Sequence, residues 1–299
     1  MTVTSVSIRE VGPRDGLQIE DPVPLAEKLR LIEALAATGV PRIEATSFVS
    51  PRAVPALADA EQLAAELHRW PGIEFSALVA GTGGAKRAVA AGIKTVEYVV
   101  SASNGHSEAN VRSTTEQATQ RIGEVVSIVH DAGGRVEVIV ATAWDCPFDG
   151  PTDLDRVLRI AEHAKSFGAD QFSIADTIGT ATPGRVGCLI EAINARVGDF
   201  ALGVHFHNTR GSGLACALAA VQHGVQNLDA STGGLGGCPF APGASGNIAT
   251  EELVYMLEDM GIATGIDLDA SVRAAAMAEE IVGHAVPSNL LRAGDRIRR

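Results

Sequence analysis

Apolar residues recur along this chain with two alternating periods. Short runs rich in β-branched residues read as strands: SVSIREV, RIEATSF, IEFSALV, TVEYVVSAS, RVEVIVATA, QFSIADT, ALGVHFHNT and NLDAST. The stretches between them place apolar residues three and four apart and mostly close on Gly, as amphipathic helices do. LAEKLRLIEALAATG and LDRVLRIAEHAKSFG are examples. Strand and helix alternate through eight units. This predicts an α/β fold, a (β/α)8 TIM barrel, and the 299 residues suit one such domain spanning 1–299. A further helical pattern, SVRAAAMAEEIVG, is left over. It is expected to pack outside the barrel as an extra C-terminal helix. The rival architecture, a doubly wound sheet, usually carries a glycine-rich phosphate turn after its first strand. Here that turn reads GPRDG. GTGGAK, Gly81–Lys86, lacks the full P-loop pattern and reads as an ordinary βα turn.

Composition narrows the function classes. The hydrophobic share of 46% supplies a large core. The 24 Lys and Arg against 36 Asp and Glu leave a formal charge of −12, which argues against a non-specific nucleic-acid binder. No stretch is long and apolar enough to suggest a membrane span, and MTVTSVSIREVGPRDG does not resemble a signal peptide. Four cysteines without a C-x-x-C pair make no disulfide framework. Together these features predict a cytoplasmic, reducing setting. Cys188 and Cys216 sit among Leu, Ile and Ala and are expected to be small buried hydrophobes.

A barrel puts its chemistry at the C-terminal ends of the strands and in the loops that follow. Arg14 and Asp15 follow the first strand. Glu44 and Ser47 lie at the second, Ser173 and Asp176 at the sixth, and His205 and His207 at the seventh. Cys238 and Asn247 belong to the loop after the eighth. His205-Phe206-His207 is the most informative triplet, because residues i and i+2 of a strand face the same side. Two inward imidazoles either line a polar pocket through hydrogen bonds or bind a metal. Asp15 and Asn247 on the same rim favour metal. Two nitrogens and two oxygens without thiolate suit Mg²⁺ or Mn²⁺, and Zn²⁺ also accepts such ligands. Arg14 is then placed to face a developing oxyanion. Glu44, inside the apolar run RIEATSF, needs a partner or a raised pKa. The loop GGLGGCPFAPGASGN, Gly233–Asn247, surrounds one thiol with many glycines. It is read as a loop free to swing over a bulky ligand and exclude water.

The segments EVGPRDGLQ, IEATSFVSPRAVPALADAE, CPFDG, ADTIGTATPG, HFHNTRG and GGLGGCPFAPGASGNIATEELVYML closely resemble the 3-hydroxy-3-methylglutaryl-CoA lyases. These belong to a metallolyase superfamily of TIM barrels. The resemblance runs from about Ile8 to Asp267, and the GLGGCP and GASGN stretches are specific to the lyase branch. It implies that Asp15, His205, His207 and Asn247 hold a divalent metal, that Arg14 stabilises an enolate, and that Cys238 is a catalytic thiol. It further implies that Glu44 is an acid–base or substrate-orienting group. Gln18, Ser47, Ser173 and Asp176, with Arg14, would line the substrate pocket, and Glu251 matches a carboxylate beside the metal ligand.

The implied substrate is a branched 3-hydroxyacyl-CoA, cleaved to acetyl-CoA and a keto acid, and the implied assembly is a homodimer or higher homo-oligomer. A lyase for a related thioester such as citramalyl-CoA is the alternative, followed by a catalytically silent CoA-ester-binding barrel. The chain departs from the family pattern at Ile19, Asp21, Trp144, Asp145, Asn208 and Arg210, which puts the acyl group in question rather than the ligands or the thiol.

Overall fold

The computed structural model describes residues 3–237, 246–294 and 296. Eight parallel strands close into a barrel in sequence order. They are β1 (Ser7–Glu10), β2 (Arg42–Ser47), β3 (Glu74–Val79), β4 (Thr95–Ser101), β5 (Arg135–Ala141), β6 (Gln171–Asp176), β7 (Leu202–Phe206) and β8 (Asn227–Ala230). Closure comes from β1, which pairs with β8 through Arg9↔Asp229 and with β2 through Arg9↔Arg42. The doubly wound alternative is thereby excluded.

Strand alternation sorts each run into two faces. In β4, Val96, Tyr98 and Val100 are fully buried beneath the outer helices, and the Tyr98 hydroxyl donates to Ala118 O at 2.9 Å. In β5, Val136, Val138 and Val140 do the same. Each such side chain contributes about 1.5–3 kcal/mol through its removal from water. The opposite face points down the barrel axis, and here the core departs from the usual Val, Ile and Leu filling. Arg9, Glu44, Ser76, Glu97, Glu137, Ser173, Gly203 and Asp229 share that interior by register. Gly203 leaves the room they need, because a Cβ there would come within 2.2 Å of Ser173 Oγ.

The leftover helical pattern is a helix, Leu268–Val282, packed against Leu25–Ala36 and joined to it by the Arg30–Glu280 ion pair. A short helix, Asn289–Ala293, follows. Between β4 and β5 the helical stretch is divided at Arg121 into Thr115–Gln120 and Ile122–His130, and a further helix, Asn104–Val111, precedes them. A small hairpin, Asp145–Cys146 with Gly150–Pro151, extends the loop after β5.

One expectation about the cysteines fails. Cys216 is buried, but Cys188 is exposed. On the helix Pro183–Val197 the inner face is taken by Val186, Leu189, Ile190 and Ile193, and the helical period turns Cys188 away from them. No helix among the described residues is long and apolar enough to cross a membrane.

Candidate active site

The site begins where β1 ends. Gly12–Gly16 forms a single wide π-helical turn, with the Asp15 and Gly16 amides both donating to Val11 O. Such turns aim side chains that an ordinary α-turn would leave on the surface. This one buries Arg14 and Asp15 at the barrel mouth. Arg14 Nη1 donates to Asp15 Oδ1 at 2.6 Å, and Gln18 Nε2 donates to the same oxygen at 2.6 Å. Arg14 Nε lies 2.6 Å from Glu44 Oε1 on β2. Glu44 is completely buried, as expected of a carboxyl that needs a partner.

From the end of β7 and the residue that follows it, His205 and His207 point inward with ring centroids 5.1 Å apart. Their Nε2 atoms stand 4.0 and 3.6 Å from Asp15 Oδ2. Asn247 reaches the same oxygen, donating from Nδ2 at 2.7 Å. Its position follows from the backbone. The Asn208 amide donates to Gly246 O and the Ile248 amide to Phe206 O, so the segment around Asn247 runs antiparallel to the end of β7 and bridges His207. Gly236 permits this closeness. It has φ +119, and a Cβ there would meet Asn247 Nδ2 at 2.6 Å and Asp15 O at 3.2 Å.

Among the described residues, Asp15, His205 and His207 offer ligand atoms that all lie within 4.8 Å of one another. Burial opposes ionisation of Asp15. The Arg14 guanidinium, His207 and His205 outweigh it and hold the carboxyl well below the usual carboxylate range. Two buried polar atoms beside the cluster, Asn247 Oδ1 and His207 Nδ1, have no hydrogen-bond partner. A buried acceptor without a donor is costly unless something positive occupies the space. These residues therefore fit a hard divalent cation.

Further groups support the first set; the sequence reading named Glu251 among them and missed Asp229 and Glu10. Asp229 Oδ2 lies 3.2 Å from His205 Nδ1, which fixes the ring and leaves Nε2 facing Asp15. Burial works against the Asp229 charge, but Arg9 and His205 hold its carboxyl far down. The signal was the alternation in NLDAST, which puts Asn227, Asp229 and Ser231 on one face. Glu10 accepts from the Gly12 and Thr232 amides and from Thr250 Oγ1, so it ties the first turn to the start of the eighth loop. Glu251 accepts from the Gly233 amide. Burial pushes both carboxyls up to about 7.

The remaining predicted residues fall in different places. Ser47 is buried at the end of β2. Asp176 anchors the turn after β6 by accepting from the Thr180 and Ala181 amides. Ser173 sits deeper, donating to Glu137 on the barrel axis. Cys238 lies outside the described residues. The reading of a loose glycine loop needs correction for its first half, because Thr232, Gly233, Gly234 and Leu235 are buried and hydrogen-bonded. Those glycines serve close packing.

The family profile described as HMGL-like matches residues 5–278. The chain is 40% identical to the hydroxymethylglutaryl-CoA lyase YngG of Bacillus subtilis over 288 residues, 96% of either chain. It is 41% identical to the (R)-citramalyl-CoA lyase of Chloroflexus aurantiacus over 301 residues, covering 97% of this chain and 95% of that one. The structure of an HMG-CoA lyase from Acinetobacter baumannii, in complex with coenzyme A and 3-methylmalate, superposes with a TM-score of 0.95 at 41% identity. That match covers 100% of this chain and 99% of the other. The barrel, the buried Asp–His–His cluster and these similarities agree, and the chain belongs to the HMGL-like family.

Proposed function

We propose that the protein is a divalent-metal-dependent carbon–carbon lyase that cleaves 3-hydroxy-3-methylglutaryl-CoA to acetyl-CoA and acetoacetate. The convergence of Asp15, His205 and His207 within 4.8 Å, with Arg14 bonded to the same aspartate, carries the reading. Asp15, His205, His207 and Asn247 would hold the ion. Their two imidazole nitrogens and two oxygens, with no thiolate among them, suit Mg²⁺ or Mn²⁺ ahead of Zn²⁺. The ion supplies Lewis acidity, which makes a tertiary hydroxyl easier to deprotonate.

The chain's own residues carry the proton and charge traffic. Asp15, or a group beside it, takes the proton from the C3 hydroxyl. The oxygen's electrons form the new carbonyl as the C2–C3 bond breaks, and the bond's electron pair passes to the thioester as an enolate. The Arg14 guanidinium, oriented by Glu44 and Asp15, faces the enolate oxygen and stabilises its charge. The Cys238 thiol donates a proton to C2, which releases acetyl-CoA. Gln18 steadies Asp15 by its hydrogen bond. Ser47 and Asp176 border the acyl end.

The similarity to a citramalyl-CoA lyase supports a second reading, since that reaction breaks the same type of bond and differs in the keto acid released. Incubation with 3-hydroxy-3-methylglutaryl-CoA and with citramalyl-CoA, followed by product identification, separates the two. Acetyl-CoA with acetoacetate supports the first reading, and acetyl-CoA with pyruvate supports the second. Binding of either thioester without cleavage would leave a silent CoA-ester-binding barrel.

A further inference from the structure

Arg9 stands buried on the barrel axis, where such barrels ordinarily carry branched apolar side chains. It lies on the seam that closes the barrel, because β1 pairs with β8 through Arg9↔Asp229. Its guanidinium meets Asp229 along one edge with two hydrogen bonds. Nε donates to Oδ1 at 2.9 Å and Nη2 to Oδ2 at 2.8 Å. The other end of the guanidinium faces β5 and β4. There Nη1 donates to Glu137 Oε2 at 2.6 Å and lies 2.8 Å from Glu97 Oε1.

The grip on Asp229 matters at the mouth of the barrel. On the neighbouring strand, β7, His205 places Nδ1 3.2 Å from Asp229 Oδ2. Arg9 and His205 are the only hydrogen-bond partners of the Asp229 side chain among the described residues. The imidazole makes one contact with one oxygen, and a carboxylate held at one oxygen can still turn about its last torsion, which is broad. The two bonds from Arg9 remove that freedom, since a guanidinium and a carboxylate fit edge to edge in one plane. Oδ2 is thereby fixed in the position that orients the ring, and His205 Nε2 is left 4.0 Å from Asp15 Oδ2. Arg9, Asp229 and His205 sit on three adjacent strands, β1, β8 and β7, a rigid frame for holding such a contact.

We propose that Arg9 is a positioning residue for the cation site: its two-bond grip on Asp229 holds the carboxylate in the plane that aims His205 Nε2 at the ion. The inference rests on the reading of Asp15, His205, His207 and Asn247 as ligands of a divalent cation. Arg9 stands behind Asp229 and supplies no ligand atom. Its positive charge does nothing to attract a cation, so what it contributes is orientation. A substitution that keeps the charge and loses the plane isolates that contribution.

The test uses R9K and E137Q in the full chain. Lysine keeps the charge, but an ammonium cannot bond both Asp229 oxygens edge to edge in one plane. Glutamine at 137 removes an ion-pair partner from the other end of the same guanidinium and leaves the grip on Asp229 in place. Mn²⁺ is titrated into each protein with free ion counted by electron paramagnetic resonance. Denaturation curves on the same preparations keep loss of folded protein from being counted as loss of affinity. R9K should weaken Mn²⁺ binding by about 10-fold, the lower end of the range for an outer partner of a metal-binding histidine. E137Q should bind Mn²⁺ as the wild type does. Wild-type affinity in R9K overturns the proposal. An equal loss in E137Q does so too, since Arg9 would then be a counter-ion that merely keeps the axis folded. Should R9K fail to fold, R9Q/E137Q takes its place with the same two outcomes, because it removes one charge of each sign and leaves no edge-to-edge pair with Asp229. A wild type that binds no Mn²⁺ overturns the cation-site reading and this inference with it, whereas a wild type that binds Mn²⁺ no better than R9K overturns the inference alone.

Discussion

His205 is held from behind by Asp229, with Nδ1 3.2 Å from Oδ2, and this contact turns Nε2 toward Asp15. A carboxylate behind a metal-binding imidazole fixes its tautomer and raises its basicity. Asp229 does this while also pairing with Arg9 at 2.8 Å, so it joins the mouth of the barrel to its axis. Asp229→Asn keeps the side-chain shape and should weaken divalent-metal affinity by about 10–100-fold, the range typical of such supporting partners. Calorimetric titration of Mn²⁺ into the folded variant measures this. Unchanged affinity would show that the contact does not tune a ligand.

Gly236 makes a second prediction about the same site. Its backbone at φ +119 disfavours any side chain, and a Cβ would press on the Asn247 amide at 2.6 Å. Gly236→Ala should therefore displace Asn247, weaken metal binding, and lower stability by about 1–3 kcal/mol. Chemical denaturation and metal titration on one preparation read both effects. A variant that binds metal normally would remove Asn247 from the ligand set.

For Cys238 the expectation concerns rate alone. Cys238→Ser should retain the fold and the metal while slowing turnover by roughly 10²–10⁴, the range for losing a positioned proton donor. Turnover near the wild-type rate, with 3-hydroxy-3-methylglutaryl-CoA in excess, would take Cys238 out of the mechanism.

Glu251 gives the stability a pH dependence. Burial lifts its carboxyl from 4.5 to about 7, so the folded state binds a proton more tightly than the unfolded chain does. Stability from this group is complete below pH 4.5 and is lost as pH rises toward 7. The loss amounts to about 3 kcal/mol by linkage. Glu251→Gln cannot lose that proton. Relative to the wild type, the variant should gain stability between pH 5 and pH 8 by about 1–3 kcal/mol. Denaturation midpoints at both pH values test the sign, and a constant difference would mean that Glu251 does not titrate in this range.

Much of the site was legible in the sequence because two local rules apply to it. The period of a strand puts His205 and His207 on one side, and the barrel puts Arg14, Asp15 and Asn247 on the rim with them. The axial network was not legible. Glu97 and Glu137 each stand singly among apolar neighbours in TVEYVVSAS and RVEVIVATA, and Arg9 sits beside Glu10 in SVSIREV, where it reads as one half of a local charge pair. Which of them meet depends on the stagger of the closed sheet, a property of all eight strands together. Ser173 shows the same limit. Its strand and facing were readable, but its height on the axis, beside Glu137 rather than at the mouth, was not. Cys188 failed for a different reason, since apolar neighbours in sequence do not share a helix face. The glycines of the eighth loop were read as freedom of movement, whereas Gly236 is required by the close approach of Asn247.

The claim on which the account depends is that Asp15, His205, His207 and Asn247 make one cation site required for carbon–carbon cleavage. The direct measurement is acetyl-CoA release from 3-hydroxy-3-methylglutaryl-CoA by chelator-treated protein as Mn²⁺ is added back, with bound ion counted in the same samples. Cleavage should be absent without metal, rise in step with occupancy to one ion per chain, and fail in His205→Ala together with the binding. Full cleavage by the metal-free protein, or tight stoichiometric binding in His205→Ala, would contradict it.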